Sequence, residues 1–259
     1  MKNNLWLFAL LTASYLTLSA DGGTLAYEGF EYPAGYRLNQ TVKGNGWSSG
    51  WKADATLKQE LDATYVADAG VLGESLINMA FARRTLCPCG LQFPRGLAAT
   101  KLYRGLEKPI DMGKDGLFYF SYLFWMGPMH GKVGAATLQL HGNAEDAILG
   151  LRAQDGQMRP CLRVGRNEVN AKKAFPYGTT FFAVIKIRTF ADPQADDTLS
   201  IAFFGPEDTV PEREEDIVWD TTLAVKGGRE CFYTVGWSYQ HGLTGDRRGA
   251  FDELRYGEN

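Results

Sequence analysis

Short apolar stretches punctuated by Gly, Asp, Asn and Pro recur along the chain, and no segment sustains a helical period. The pattern predicts about eleven strands: 64–68 (TYVAD), 75–82 (SLINMAFA), 100–104 (TKLYR), 117–126 (LFYFSYLFWM), 135–142 (AATLQLHG), 147–153 (AILGLRA), 158–165 (MRPCLRVG), 179–190 (TTFFAVIKIRTF), 198–205 (TLSIAFFG), 231–239 (CFYTVGWSY) and 250–257 (AFDELRYG). Within 179–190, Phe181, Ala183, Ile185 and Ile187 form one side and Val184, Lys186 and Arg188 the other. That alternation predicts a strand wet on one face. In 198–205 the buried set is Leu199, Ile201 and Phe203, and the intervening ADPQADD reads as a hairpin turn. The stretch 117–126 is apolar on both faces. It predicts a central strand covered on both sides, or one whose outer aromatics line a groove. No linker or composition break follows residue 30, so the expected architecture is all-β: one sandwich of two antiparallel sheets.

Composition adds an address and excludes some partners. The 259 residues carry a net charge of −3, with Lys and Arg scattered, so no basic stripe is set out for nucleic acid. Lys2, an apolar run from Leu5 to Leu18, and Ser19–Ala20 read as an export signal over 1–20, with a second candidate cleavage after Ala26. The run is short for a membrane span. The expectation is a secreted or periplasmic domain over 24–257, with no membrane span after signal removal. The alternative is an uncleaved N-terminal anchor. Four cysteines, Cys87, Cys89, Cys161 and Cys231, permit two disulfides in an exported chain. Cys87 and Cys89 flank a single proline, so each is expected to pair with a distant partner. Zinc is disfavoured, because no second closely spaced pair and no supporting histidines accompany them.

Several stretches carry candidate chemistry. GWSSG (46–50) matches the nucleophile-elbow pattern, but its flanks do not read as a strand-to-helix turn around Ser48. EEDIVWD (214–220) resembles the E-x-D-x-x-E strand motif of jelly-roll glucanases, in which alternate acids project into a cleft. That resemblance makes Glu214 the nucleophile, Asp216 the helper and Asp220 the acid/base. Asp220 is one methylene shorter than the family's glutamate, and Glu215 stands where the family has a buried apolar residue. A polar loop, GPEDTVPERE, precedes the stretch, so a solvated acidic loop is the competing expectation. Trp47 and Trp51, in a Gly and Ser loop, and Trp237 are the candidate stacking platforms for a sugar ring. Core packing is the alternative for each. Glu28, Glu31 and Asp252 lie near the two ends of the chain. If the first and last strands pair, these acids approach one another as a candidate calcium site. NQT (39–41) fits the glycosylation pattern.

YEGFEYPAG (27–35) with GWSSGW at the start, LRVG and TTFFAVIKIRTF in the middle, and FDELRYG at the end resemble a known layout. It is that of exported bacterial proteins of the planctomycete type with a concanavalin A-like (laminin-G-like) jelly roll. The resemblance spans nearly the whole mature chain. It implies a two-sheet sandwich opened by YEGFEYPAG and closed by FDELRYG. It also implies binding of sugars or proteins, or cleavage of polysaccharide, since fold alone leaves function open. The resulting expectation is a non-catalytic domain that binds a polysaccharide or cell-surface glycan. The alternatives are a glycoside hydrolase or lyase acting through Glu214, Asp216 and Asp220, and a structural or adhesive surface protein.

Overall fold

The computed structural model describes residues 23–29, 44–53, 65–68, 89–92, 99–126, 129–130, 134–226, 230–240, 244–245 and 249–259. The strands are β1 (Thr24–Glu28), β2 (Lys52–Ala53), β3 (Tyr65–Asp68), β4 (Cys89–Gln92), β5 (Ala99–Asp111), β6 (Gly116–Met126), β7 (Met129–His130), β8 (Ala135–His141), β9 (Asp146–Gln154), β10 (Gln157–Val164), β11 (Asn167–Asn170), β12 (Thr180–Thr189), β13 (Asp196–Phe204), β14 (Thr221–Lys226), β15 (Cys231–Gln240), β16 (Thr244–Gly245) and β17 (Gly249–Glu258). One sheet runs β14-β13-β12-β6-β17-β4-β3, with β1 added beside β17. The other runs β11-β10-β9-β8-β15-β5-β2, and β7 pairs with β16 in a small ribbon. The chain is therefore an all-β sandwich of two antiparallel sheets. The condition set for the two end segments is met: β1 pairs with β17, and Glu28 lies opposite Leu254. The predicted strand 75–82 lies outside the described residues.

The core lies between the sheets and is aromatic. Trp237 of β15 stacks on Phe251 of β17, with ring centroids 3.9 Å apart, and meets Tyr122 of β6 edge-on at 4.6 Å. Ladders of period two supply the rest: Phe120 and Phe124 on β6, Ile185 and Ile187 on β12, Leu138 and Leu140 on β8, all buried. Each such side chain contributes roughly 1.5–3 kcal/mol by leaving water.

The double apolar character of 117–126 has a direct structural cause. Leu123 on the outer face of β6 joins Phe182 and Val184 of β12 and Ala202 and Phe204 of β13 in a second buried layer. Val210, Ile217 and Trp219, from the connection between β13 and β14, pack over that layer. The expectation of a fully wet outer face on 179–190 is corrected accordingly. Val184 is buried under this connection, Lys186 is half-buried, and only Arg188 is exposed. Besides β1, which the resemblance placed at the opening edge, six strands (β2, β4, β7, β11, β14 and β16) have no counterpart among the predicted segments. β14 (TTLAVK) turns Leu223 and Val225 inward against β13, and β11 is a short polar edge.

Candidate functional site

The alternation that builds the core leaves a polar face on the outside of the seven-stranded sheet. With Leu138 and Leu140 inward, Thr137, Gln139 and His141 of β8 face out. The register aligns neighbours from strand to strand. Cys161, Gly150, Thr137 and Ser238 stand in one row, and Arg163, Ile148, Gln139, Gly236 and Tyr103 in the next. Thr137, Gln139 and Ser238 are buried polar residues, while Tyr103, His141, Arg152 and Arg163 remain partly exposed around them. The face is thus a polar floor whose Thr137, Gln139 and Ser238 are largely covered, and the side chains it offers to solvent are those of Tyr103, His141, Arg152 and Arg163.

Two local devices hold one end of that floor. The Glu230 carboxylate accepts from the backbone N–H groups of Asn143, Ala144 (3.1 Å) and Glu145 (3.2 Å), which fixes the turn between β8 and β9. His141 and Asp146, at the two sides of this turn, are cross-strand partners. The His141 Nδ1 lies 3.1 Å from an Asp146 carboxylate oxygen. A carboxylate on Nδ1 favours the proton there and leaves Nε2 as the basic nitrogen. The Tyr103 ring meets the imidazole edge-on, with centroids 6.1 Å apart.

The three tryptophans proposed as platforms are placed elsewhere. Trp47, Trp51 and Trp237 are 0 %, 4 % and 1 % exposed, so none presents a ring face to a ligand. The expectation that Trp47 and Trp51 stand out in a loop is corrected by their partners. Gly46, with φ of 77°, lets the chain turn close against β1. Trp47 then bridges to Leu106 of β5, and its Nε1 donates to the Tyr27 carbonyl at 2.9 Å. The Arg104 guanidinium sits 4.7 Å from the Trp47 ring and 5.7 Å from Trp51, and its Nε donates to the Ser49 carbonyl at 3.1 Å. No helix follows Ser48 within the described residues, since the chain goes on to β2, and the nucleophile-elbow geometry is not formed.

The same cluster answers the calcium expectation. Glu28 is 5 % exposed and forms a buried ion pair with Arg104, while Trp51 Nε1 donates to it at 3.3 Å. An arginine beside the carboxylate takes the position a cation would need, so Glu28 does not fit a calcium site. Glu31 and the Asp252 side chain lie outside the described residues. Among the described residues, no group of three or more His, Cys, Asp or Glu is placed to hold a metal ion.

The glucanase-like reading of EEDIVWD is likewise corrected. Glu214–Asp216 is a single 3₁₀ turn, and a strand begins only at Thr221. Alternation onto one cleft face needs extended backbone, so the three acids diverge. Glu214 accepts from Lys186 Nζ at 2.6 Å and from the Tyr119 hydroxyl. Burial works to raise the Glu214 pKa, but these hydrogen bonds and the charges of Lys186 and Arg188 outweigh it, and the net shift is downward. Asp216 pairs with Arg213 at 3.0 Å. Asp220 accepts from the Phe203 N–H at 2.8 Å and faces Lys173 at 3.2 Å. These contacts pin the connection over the outer apolar layer. They leave no nucleophile and acid facing a common space.

The disulfide expectation is corrected where it can be seen. Cys161 and Cys231 are both free thiols. The backbone of Cys89 begins β4, and Cys87 and the Cys89 side chain lie outside the described residues.

No family model matches this sequence, and no curated protein matches it. Solved structures do share its fold. The endo-1,3-β-glucanase from Streptomyces sioyaensis superposes with a TM-score of 0.51 at 9 % identity, over 95 % of this chain and 99 % of that one. The endo-β-1,4-glucuronan lyase from the fungus Trichoderma reesei gives 0.50 at 10 % identity, over 91 % and 95 %. The globular domain of T. cruzi calreticulin gives 0.41 at 13 % identity, over 66 % and 74 %. Two antiparallel sheets in this arrangement, matched over almost their whole length by a glucanase and a lyase, give this chain the concanavalin A-like jelly-roll fold.

Proposed function

We propose that this protein is an exported, non-catalytic jelly roll that holds a polysaccharide along the outer face of its seven-stranded sheet. The finer resemblance to exported planctomycete-type proteins, and the leader over 1–20, belong with this reading. One observation carries it: Tyr103, His141 and Arg152 stand partly exposed around the largely covered polar floor of Thr137, Gln139 and Ser238. Imidazole and guanidinium donors suit the hydroxyls of a sugar, and a flanking aromatic ring suits its apolar face. The glucanase and the lyase of the same fold are by name polysaccharide enzymes, which supports the ligand class. The test is a panel of purified polysaccharides scored for retention of the protein and for product release. Retention without products, lost in Tyr103→Ala and Gln139→Ala variants that keep the wild-type melting temperature, supports the reading. Retention unchanged in both variants sinks it.

A second reading rests on the Asp146-oriented His141 beside Tyr103, an arrangement suited to proton transfer. If the panel yields reducing ends or unsaturated products, and His141→Ala abolishes them without loss of retention, the protein is a polysaccharide hydrolase or lyase. Folded protein that retains no glycan and releases no product would point instead to a structural or adhesive role.

A further inference from the structure

The polar face is electrically uneven at its β9–β10–β11 end. Arg152, Arg159 and Arg163 all project from it, in a chain whose net charge is −3. Arg159 stands directly opposite Arg152 across the β9–β10 ladder. Like charges in that position repel unless an anion sits between or beside them. Glu168 of β11 is the cross-strand partner of Arg163. Its carboxylate is engaged by Arg152 Nη1 at 2.7 Å and by Asn170 Nδ2 at 3.1 Å. Arg159 spends its donors on the Lys172 carbonyl and, at 3.2 Å, on Gln157. Arg163 differs from both, because its Nε is shut away from solvent and donates to nothing. Leaving a charged donor buried without an acceptor is expensive.

Two other groups of the protein lie on the same face: Asp146, diagonal to Arg163 and engaged by His141 at 3.1 Å, and the Cys161 thiol. Burial pushes the Cys161 thiol up to about 11, so it stays neutral near pH 7. Three guanidinium groups therefore share this face with two carboxylates, Glu168 and Asp146, and Asp146 is held by His141 rather than by an arginine. An arginine fork binds planar oxyanions with paired N–H donors more strongly than it binds neutral hydroxyls.

From this geometry we infer an anion subsite at Arg163, flanked by Arg152, that takes the negatively charged substituent of an acidic polysaccharide lying on the sheet face. The inference rests on the polysaccharide-binding reading above and names its ligand class. The shared chemistry is a sugar-borne oxyanion, which is either a uronate carboxylate or a sulfate ester.

The experiment measures the affinity of the full purified protein for alginate and polygalacturonate, for dextran sulfate, for carboxyl-reduced alginate, and for neutral dextran and laminarin, at fixed salt. The variants are Arg163→Gln, Arg163→Lys and, as a bulk-charge control on the other sheet's covering segment, Arg213→Gln. Thermal melting confirms that each is folded. The expected result is preference for an anionic polymer, a loss of about tenfold or more in Arg163→Gln, and a smaller loss in Arg163→Lys. Arg213→Gln should change affinity less than twofold. Loss of binding on carboxyl reduction identifies the uronate arm, and a preference for dextran sulfate identifies the sulfate arm. Binding of neutral polymers only, or equal losses in Arg163→Gln and Arg213→Gln, overturns the subsite while leaving the polysaccharide reading in place. No binding to any polymer overturns both. If Arg163→Gln does not fold, Arg152→Gln, on the exposed rim, carries the same prediction.

Discussion

Replacing Glu28 with alanine should destabilise the protein by about 3–5 kcal/mol, the usual cost of stranding one partner of a buried ion pair. The structure sets the size of this effect. Arg104 is 1 % exposed and Glu28 5 %, so water cannot take over the vacated bond. The guanidinium would keep its hydrogen bond to the Ser49 carbonyl and its place over Trp47. Those contacts do not neutralise its charge. The bond from Trp51 Nε1 to the Glu28 carboxylate would be lost at the same time. Against a typical total stability of about 5–15 kcal/mol, this is a large share. Guanidinium chloride unfolding followed by tryptophan fluorescence measures it directly, since Trp47 and Trp51 report from the affected cluster. The double variant Glu28→Leu/Arg104→Met removes both charges. It should cost only about 1–3 kcal/mol, chiefly through the lost bond from the Trp51 N–H to the Glu28 carboxylate. The reasoning fails if Glu28→Ala costs less than about 1 kcal/mol, or if the losses of the single variants Glu28→Leu and Arg104→Met simply add in the double variant.

Three further outcomes follow from the same structure. Because the folded pKa of Glu214 is lowered, its contribution to stability is present above the ordinary carboxylate range and is lost as pH falls through the folded value. Glu214→Gln should therefore lower the melting temperature at pH 7, and the gap to wild type should close in acid; a gap independent of pH contradicts the ion pair with Lys186. A Cβ on Gly150 would stand 2.4 Å from the Ala136 carbonyl oxygen and 2.6 Å from the Thr137 Cα, so Gly150→Ala must force β8 and β9 apart. It should cost about 1–3 kcal/mol or more by denaturant titration, and a neutral result would mean that the strands are less tightly drawn together. In folded protein, iodoacetamide should label partly exposed Cys231 well before buried Cys161, which reacts only on unfolding; mass spectrometry of the digested protein reads both sites.

Local pattern decides what a strand is and which of its faces is apolar, because side chains alternate with period two whatever lies beyond them. Phe181, Ala183, Ile185 and Ile187 on β12, and Leu138 and Leu140 on β8, are therefore readable without a structure. The same alternation already separates Thr137, Gln139 and His141 from that core. A continuous apolar run such as 117–126 likewise announces a strand apolar on both faces, and only the structure shows that its outer face is covered rather than open as a groove. Short or edge elements escape this reading. TTLAVK of β14 has only Leu223 and Val225 to signal it, and NEVN of β11 has little apolar content at all.

Tertiary structure alone decides the rest, because the deciding contacts join residues far apart in the chain. A tryptophan in a Gly and Ser loop fits either solvent or core by composition. Trp47 and Trp51 are buried because Arg104, 76 residues from Glu28, brings the ion pair between them and the β1 edge. EEDIVWD has strand-like acidic spacing, but Ile217 and Trp219 are drawn onto an apolar layer made by β6, β12 and β13, and the segment turns instead of extending. The polar floor and the Arg152–Arg159–Arg163 cluster likewise depend on register. Sequence sets the direction of each side chain, and only the pairing of β5, β8, β9, β10 and β15 sets which of them share a surface.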